Sequence, residues 1–280
     1  MTVQSTLEFA QQALSVSIVL YRPDPVLLDR TLTSLRDAVV AARAGRHLPV
    51  HVYLVDNGGG DDAARTAGGV FGADIECSLI AGHGNIGYGR GHNLAIERAS
   101  SRYHLVLNPD VKLADDTLLN ALSFLDGHRE AGLLTPQIVG VHGEIQYLCR
   151  RRPALLDLFA RGFLPSNLRK LFSQRLSHYE MRDRINGRDV VWDPPIVTGC
   201  FMLFRTDVLK QLGGFDARYF LYFEDYDLSL RTHDVARVVY VPAVSVQHYG
   251  GGASRKGYSH IRMFAVSAWK FYRRFGWKWL

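Results

Sequence analysis

Residues 78–99 read SLIAGHGNIGYGRGHNLAIERA, an apolar stretch, a glycine-rich turn and a helix-like continuation. Within them, positions 82–87 spell GHGNIG, a G-x-G-x-x-G pattern. Turns of this kind let backbone N–H groups approach a pyrophosphate, and they open dinucleotide-binding βαβ units. Asp110, ending the next apolar run, mimics the acid expected to hold a ribose. An NAD-dependent oxidoreductase is therefore the first reading to weigh.

Position in the chain argues against it. The fingerprint belongs on the first βα turn of such a fold. Here VSIVLY (16–21) and VHVYLVD (50–56) come earlier, and both end in loop-forming polar residues. Working outward, Pro25 is placed to open a helix with Leu28, Leu32, Leu35 and Val39 on one face. DIECSLI (74–80) reads as a third strand, residues 90–100 as a helix and YHLVLNPD (103–110) as a fourth strand ending in a turn. A helix follows with Asp115 or Asp116 near its start, then the strand-like GLLTPQIVG. Alternation of this sort predicts an α/β fold with a largely parallel sheet.

Residues 150–190 break the rhythm with a basic, leucine-rich segment, read as a helical insertion. WDPPIVTGCFMLFR resumes strand character, TDVLKQLGGFD reads as a short helix, and another helix starts near Glu224 with Asp227 and Arg231 spaced to pair. ARVVYVPAVSVQH is the last extended stretch.

The 280 residues carry a formal charge of +6, concentrated in two places. Residues 150–175 hold seven Lys/Arg against Asp157, and residues 255–280 hold seven with no acid. Both interleave aromatics and leucines, as a helix lying in an anionic membrane interface would. The plainer reading is amphipathic helices packed on the core. No nucleic-acid motif accompanies the charge. The N-terminus lacks a signal-peptide pattern, and the longest wholly apolar run, CFMLF, is too short to span a bilayer. Three cysteines without pairing or metal-ligand spacing fit reduced thiols, so the expected location is the cytoplasm.

Polar clusters fall at strand ends: VDN (55–57), the loop 85–93, NPD (108–110), and FEDYD (223–227) with QHYGGGAS (247–254). Taken in order, SIVLY…LVDNGG…GNIGYGRGHNLAI…LVLNPDV…VTGCFMLFR…GGFDARYFLYFEDYDLSLR…VQHYGGGAS resembles the family 2 inverting glycosyltransferases of the GT-A fold, and more narrowly their rhamnosyltransferase-like branch. The resemblance runs from about Val16 to Ser254. It implies one GT-A domain over 1–254, with a nucleotide-binding half (about 14–140), the insertion, and an acceptor half (about 191–254), followed by a basic amphipathic segment (255–280).

It also implies roles. Tyr21 would border the nucleotide, Asp56 would accept from the pyrimidine N–H, and Asn57 would stand beside it. The loop from Asn85 through Gly87 to Asn93 would wrap the nucleotide, with Arg90 near its phosphates and Gly199 in the same donor site. Asp110 matches the last acid of the family's D-x-D, and His248 lies where some members place a further ligand to Mg²⁺ or Mn²⁺. Asn108 departs from the pattern, since many members have Asp there, and one charge is lost. Asp225 matches the catalytic base, with Glu224 as its pair. The donor would be dTDP- or UDP-linked, with dTDP-rhamnose favoured. The acceptor would be a polyprenyl-diphosphate-linked glycan of cell-surface polysaccharide assembly, met at the cytoplasmic face of the inner membrane. No Q-x-x-R-W motif is present, which favours addition of few sugars over polymerisation.

Each residue has a dull reading beside this one. Asn-Pro-Asp is a frequent turn, Glu224 and Asp225 favour a helix N-terminus, and a histidine after a strand is often a surface residue. A non-catalytic nucleotide-sugar-binding protein remains the second alternative.

Overall fold

The computed structural model describes residues 14–58, 62–162, 164–250 and 258–280. The first half alternates β1 (Leu14–Leu20), α1 (Pro25–Arg43), β2 (Val50–Asp56), α2 (Asp62–Phe71), β3 (Glu76–Ile80), α3 (Tyr88–Arg98) and β4 (Tyr103–Leu107). After these come β5 (Val111–Leu113), α4 (Thr117–Gly127), β6 (Ala131–Val139), α5 (Leu155–Gly162), α6 (Ser166–Arg169) and α7 (Ser173–Tyr179). The chain closes with β7 (Val191–Trp192), β8 (Phe201–Arg205), α8 (Thr206–Gln211), α9 (Glu224–Thr232), β9 (Arg237–His248) and α10 (Tyr258–Phe275).

One sheet takes the order β3-β2-β1-β4-β8-β6-β9-β5, with β7 also pairing β9. Strands β3, β2, β1 and β4 are parallel, and β6 is parallel to β9. The expected parallel character holds there, but β8 runs against β4 and β6, and β5 and β7 run against β9. Those reversals matter to the site. They bring the start of β8 beside the end of β4.

Sequence chemistry explains the elements. Asp24 caps α1 by accepting from the N–H groups of Val26 and Leu27 at 2.9 and 3.2 Å, and Pro25 costs nothing in the first turn. The α1 face of Leu28, Leu32, Leu35 and Val39 is buried against the sheet core, as the spacing predicts. Helix α2, where the sequence suggests only a turn, buries Ala67 and Phe71. Its Gly68 and Gly69 weaken the helical pattern, which hides it from periodicity.

The central strand carries two buried serines, and both are satisfied. Ser15 Oγ lies 2.7 Å from His104 Nδ1; Ser17 Oγ lies 2.9 Å from His104 Nε2 and 2.7 Å from His92 Nδ1. This network ties α3 to β1 and β4 from inside. Burial holds both imidazoles below their ordinary pKa, His104 at about 3.

Candidate active site

The end of β1 delivers Tyr21, and the end of β2 delivers Asp56 and Asn57. These are carboxyl ends of parallel strands, where ligands bind in open α/β sheets. Asp56 Oδ1 accepts from Gly58 N at 2.7 Å, so the carboxylate is held at a fixed angle in the turn. Asn57 is buried and reaches the glycine loop: its Nδ2 donates to Gly87 O at 3.0 Å, and His83 Nε2 lies 3.0 Å from its Oδ1. Tyr21 stands exposed at the rim.

The loop itself is shaped by glycine. Gly82, Gly84 and Gly87 all have positive φ, so these positions serve backbone geometry. Gly87 has φ 94° and ψ 170°, and a Cβ there would lie 2.3 Å from Phe220 O. Asn85 Oδ1 accepts from Gly87 N at 3.1 Å, and Tyr88 N donates to Phe220 O at 3.0 Å. The loop is thereby fastened to the segment that precedes α9.

Two of the loop residues expected at the nucleotide serve that fastening. Asn93 donates to Phe215 O at 2.8 Å and accepts from Phe215 N at 2.9 Å. Arg90 Nε donates to Ala217 O at 2.6 Å, so its guanidinium is anchored on the 215–218 turn.

Tyr88 is the residue that sequence reasoning passed over. Its hydroxyl lies 2.7 Å from Gly199 O and 3.0 Å from Asn108 Oδ1. Asn108 N donates to Cys200 O at 2.9 Å, and Gly199 N donates to Asp225 Oδ2 at 3.0 Å. Asn108, Gly199, Tyr88 and Asp225 thus form one connected group drawn from four parts of the chain. Burial raises the Tyr88 hydroxyl well above its ordinary pKa, and the charges of Glu224, Asp225 and Asp110 push the same way. Asp110 and Asp225 act on Cys200 as well. Both carboxylates therefore act on the same two side chains, Tyr88 and Cys200.

Asp225 sits in the first turn of α9, and its Oδ1 accepts from Tyr226 N at 2.9 Å. Burial lifts its pKa, while the N–H groups of Gly199 and Tyr226 and the Arg150 charge pull it down. Glu224 is deeper. Burial, then the Asp225 charge, raises it to about 8, and its Oε2 has no hydrogen-bond partner. Tyr222 and Phe223 lead into the helix with φ of 71° and 67°, two consecutive left-handed residues that are neither glycine nor asparagine. Packing of Phe223 against Phe264 and Phe271 of α10 offsets the strain.

Antiparallel pairing of β5 with β9 sets Val111 opposite His248, which brings the imidazole to the residue before Val111. His248 Nε2 lies 3.5 Å from Asp110 Oδ1, an oxygen buried without a hydrogen-bond partner. A Cβ on Gly250 would lie 2.5 Å from Asp110 Oδ2 and 2.6 Å from His248 Nε2. One carboxylate and one imidazole around such a cradle fit a divalent cation that completes its shell with other oxygens. Among the described residues no cluster of three or more His, Cys, Asp and Glu supplies a full ligand set.

Arg150 is the other residue composition did not flag individually. It is buried, its guanidinium lies over the Tyr179 ring at 5.3 Å, and its charge bears on Asp225.

The family model described as glycosyl transferase family 2 matches residues 15–213. The chain belongs to glycosyltransferase family 2 and is an enzyme of that class. It is similar to the N-acetylglucosaminyl-diphospho-decaprenol L-rhamnosyltransferase of Mycobacterium tuberculosis, at 29% identity over 94% of this chain and 86% of the relative. It is also similar to Rhamnosyltransferase WbbL of Escherichia coli, at 29% identity over 63% of this chain and 66% of the relative.

Among solved structures, S. aureus TarS 1–349 matches with TM-score 0.55 and 18% identity, over 91% of this chain and 65% of that one. The Pyrobaculum calidifontis mannosyltransferase PcManGT, solved with GDP-Man and Mn²⁺, matches with TM-score 0.55 and 20% identity, over 89% and 59%. GalNAc-T7, solved with UDP, GalNAc and Mn²⁺, reaches 0.61 at 13% identity, over 94% of this chain and 50% of that one. These likenesses give the fold, which is GT-A. The dinucleotide-binding and non-catalytic alternatives are set aside by the family.

Proposed function

We propose that the chain transfers L-rhamnose from dTDP-rhamnose, with inversion, to a glycan carried on a polyprenyl diphosphate during cell-surface polysaccharide assembly. Similarity to rhamnosyltransferases across nearly the whole chain supports the sugar and the lipid carrier. The observation that supports the mechanism is that the Tyr88 hydroxyl bonds Gly199 O, whose own N–H holds Asp225, and Asn108 Oδ1, two residues before Asp110.

Asp225 takes the proton from the attacking acceptor hydroxyl. The oxygen forms its bond to the anomeric carbon from the face opposite the leaving group, and the bond to the nucleoside diphosphate breaks with its electron pair leaving on that oxygen. The N–H groups of Gly199 and Tyr226 hold Asp225 in place for this step. Tyr21, Asp56 and Asn57 line the base end of the donor, and Asn85, Gly87, Asn108 and Gly199 the sugar-diphosphate end. Asn93 and Arg90 keep the loop wall in register. Asp110 and His248 would hold Mg²⁺ or Mn²⁺, which when bound offsets charge on the leaving diphosphate. Asn108 contributes a hydrogen bond through Tyr88 where a second carboxylate is absent.

Among the described residues no helix is long and apolar enough to cross a membrane. We place the working enzyme on an anionic membrane surface, through the acid-free 258–280 segment. Its outer face exposes Ile261, Val266 and Trp269, with Arg273 over the Trp269 ring at 5.2 Å.

Asp225→Asn tests the base. Transfer from dTDP-rhamnose to a lipid-diphosphate acceptor should fall about 10²- to 10⁴-fold. Calorimetric affinity for dTDP should stay unchanged. Full turnover by the variant would defeat the assignment.

A further inference from the structure

The two basic segments, more than a hundred positions apart, form one surface. Leu155 N donates to Lys278 O at 2.8 Å, Arg152 Nη2 bonds the carbonyls of Phe275 and Gly276, and Lys278 Nζ donates to Arg152 O at 3.3 Å. Where they meet lies a cavity of about 160 Å³, lined by Arg151, Arg152, Arg175, His178 and Lys278 with Asp157, Tyr179 and Leu280.

Four cationic side chains line this space against one carboxylate side chain. Asp157 is already committed: Oδ1 accepts from Arg175 at 2.5 Å and Oδ2 from Ala154 N at 2.7 Å. Arg151 is held by a two-pronged pair with Asp183 at 2.8 and 2.7 Å. Among the described residues, neither Arg152 nor Lys278 pairs with a carboxylate, and Arg152 Nε is buried without a partner. Converging cations with donors to spare suit a phosphate-type anion.

Position supplies the second observation. Tyr179, a wall of the cavity, lies with its hydroxyl 2.9 Å from that of Tyr226, and Tyr226 N donates to Asp225. The cavity backs onto the residues that hold the base. At its lining, Leu280 is 77% exposed, and Trp279 beside it in the chain 67% exposed, giving apolar surface next to the charge. An amphiphile with an anionic head has both halves matched.

We propose that this cavity binds the diphosphate of the acceptor, leaving the hydrocarbon over Trp279 and Leu280 and the sugar directed toward Asp225. The inference rests on the lipid-diphosphate reading above, but its test reads binding without turnover. Inorganic pyrophosphate and geranyl diphosphate are titrated into the full chain in EDTA, with dTDP as the control ligand. Both should bind, and Arg175→Gln and Lys278→Gln should each weaken them about tenfold, as loss of one charge-assisted hydrogen bond does. The affinity for dTDP should not move.

Lys278, whose ammonium makes a single long carbonyl contact among the described residues, carries the test if Arg175→Gln fails to fold. In turnover, Lys278→Gln should raise acceptor KM more than it lowers kcat. Equal diphosphate affinity in wild type and variants overturns the proposal. So does a Lys278→Gln variant that loses binding to phosphatidylglycerol vesicles while geranyl diphosphate affinity is kept, because the cavity then serves a bilayer headgroup. Failure to use dTDP-rhamnose with diphosphate binding intact sinks the donor reading and upholds the cavity.

Discussion

Glu224 is buried beside a second carboxylate, and the cost of charging it belongs to this one residue. Its folded pKa, about 8, lies above the ordinary value of 4.5, so its contribution to stability is full below about pH 4.5 and is lost as pH rises toward 8. Glu224→Gln should therefore raise Tm relative to wild type at pH 8 but not at pH 4.5, by about 2–4 °C per kcal/mol recovered, in paired thermal melts. Equal offsets at both values would mean the carboxylate is not buried as described. The same burial lifts Asp225, so the acid limb of kcat/KM should fall above the ordinary carboxylate range. Single residues were unevenly legible. The Asp225 and Asp110 positions stood out only through the ordered set of motifs around them, because an acid in an Asn-Pro-Asp turn or at a helix start has a ready structural reading by itself. Tyr88 did not, since its role depends on two acceptors from residues 108 and 199 that only folding brings within reach. Arg150 was lost in a run of similar charges, of which it alone is fully enclosed.

At the level of elements, strand β1 is joined to helix α3 through Ser17–His92 and to β4 through Ser17–His104, and that joint is sensitive to acid. His104 stays neutral in the fold down to about pH 3, chiefly through burial, while the unfolded chain protonates near 6.5. The stability margin of wild type over His104→Asn should therefore shrink as pH falls from about 6.5 to about 4, by about 1.4 kcal/mol per unit, in urea titrations. A constant margin would show that the imidazole is already accessible to protons. Gly87→Ala should lower unfolding free energy by more than about 2 kcal/mol, since its backbone angles belong to glycine and the new Cβ meets Phe220 O. Most strands and helices were readable from period and punctuation. The reversed direction of β8 was not, because an apolar five-residue strand has the same pattern either way up. Helix α2 was missed because glycine dilutes its pattern.

Across the whole molecule, α10 is both an outer surface and an internal support. Phe271 and Tyr272 are buried, Ser267 Oγ donates to Leu221 O at 2.8 Å, and Arg274 Nη1 binds Asp216 and Asp227 at 2.8 and 2.9 Å. Deleting the helix would remove the support of residues 216–227, so its outward residues are the ones to change. Arg262→Gln with Arg273→Gln should weaken co-sedimentation with phosphatidylglycerol vesicles about fivefold per charge, an effect that high salt should erase. Unchanged sedimentation would leave the exposed Trp269 face without a membrane role. The sequence announced this basic segment plainly, and it could not announce that residues 276–280 return to residues 152–156. The helix also grips Tyr222, whose hydroxyl lies 2.8 Å from His260 Nδ1, one turn of chain before Asp225. If the outer face rests on lipid and Asp225 is the base, carboxylate and bilayer are joined by a rigid strut a single helix thick. The depth at which a hydroxyl can be reached is then preset, and glycans whose next sugar stands too far from the lipid plane are refused by height alone.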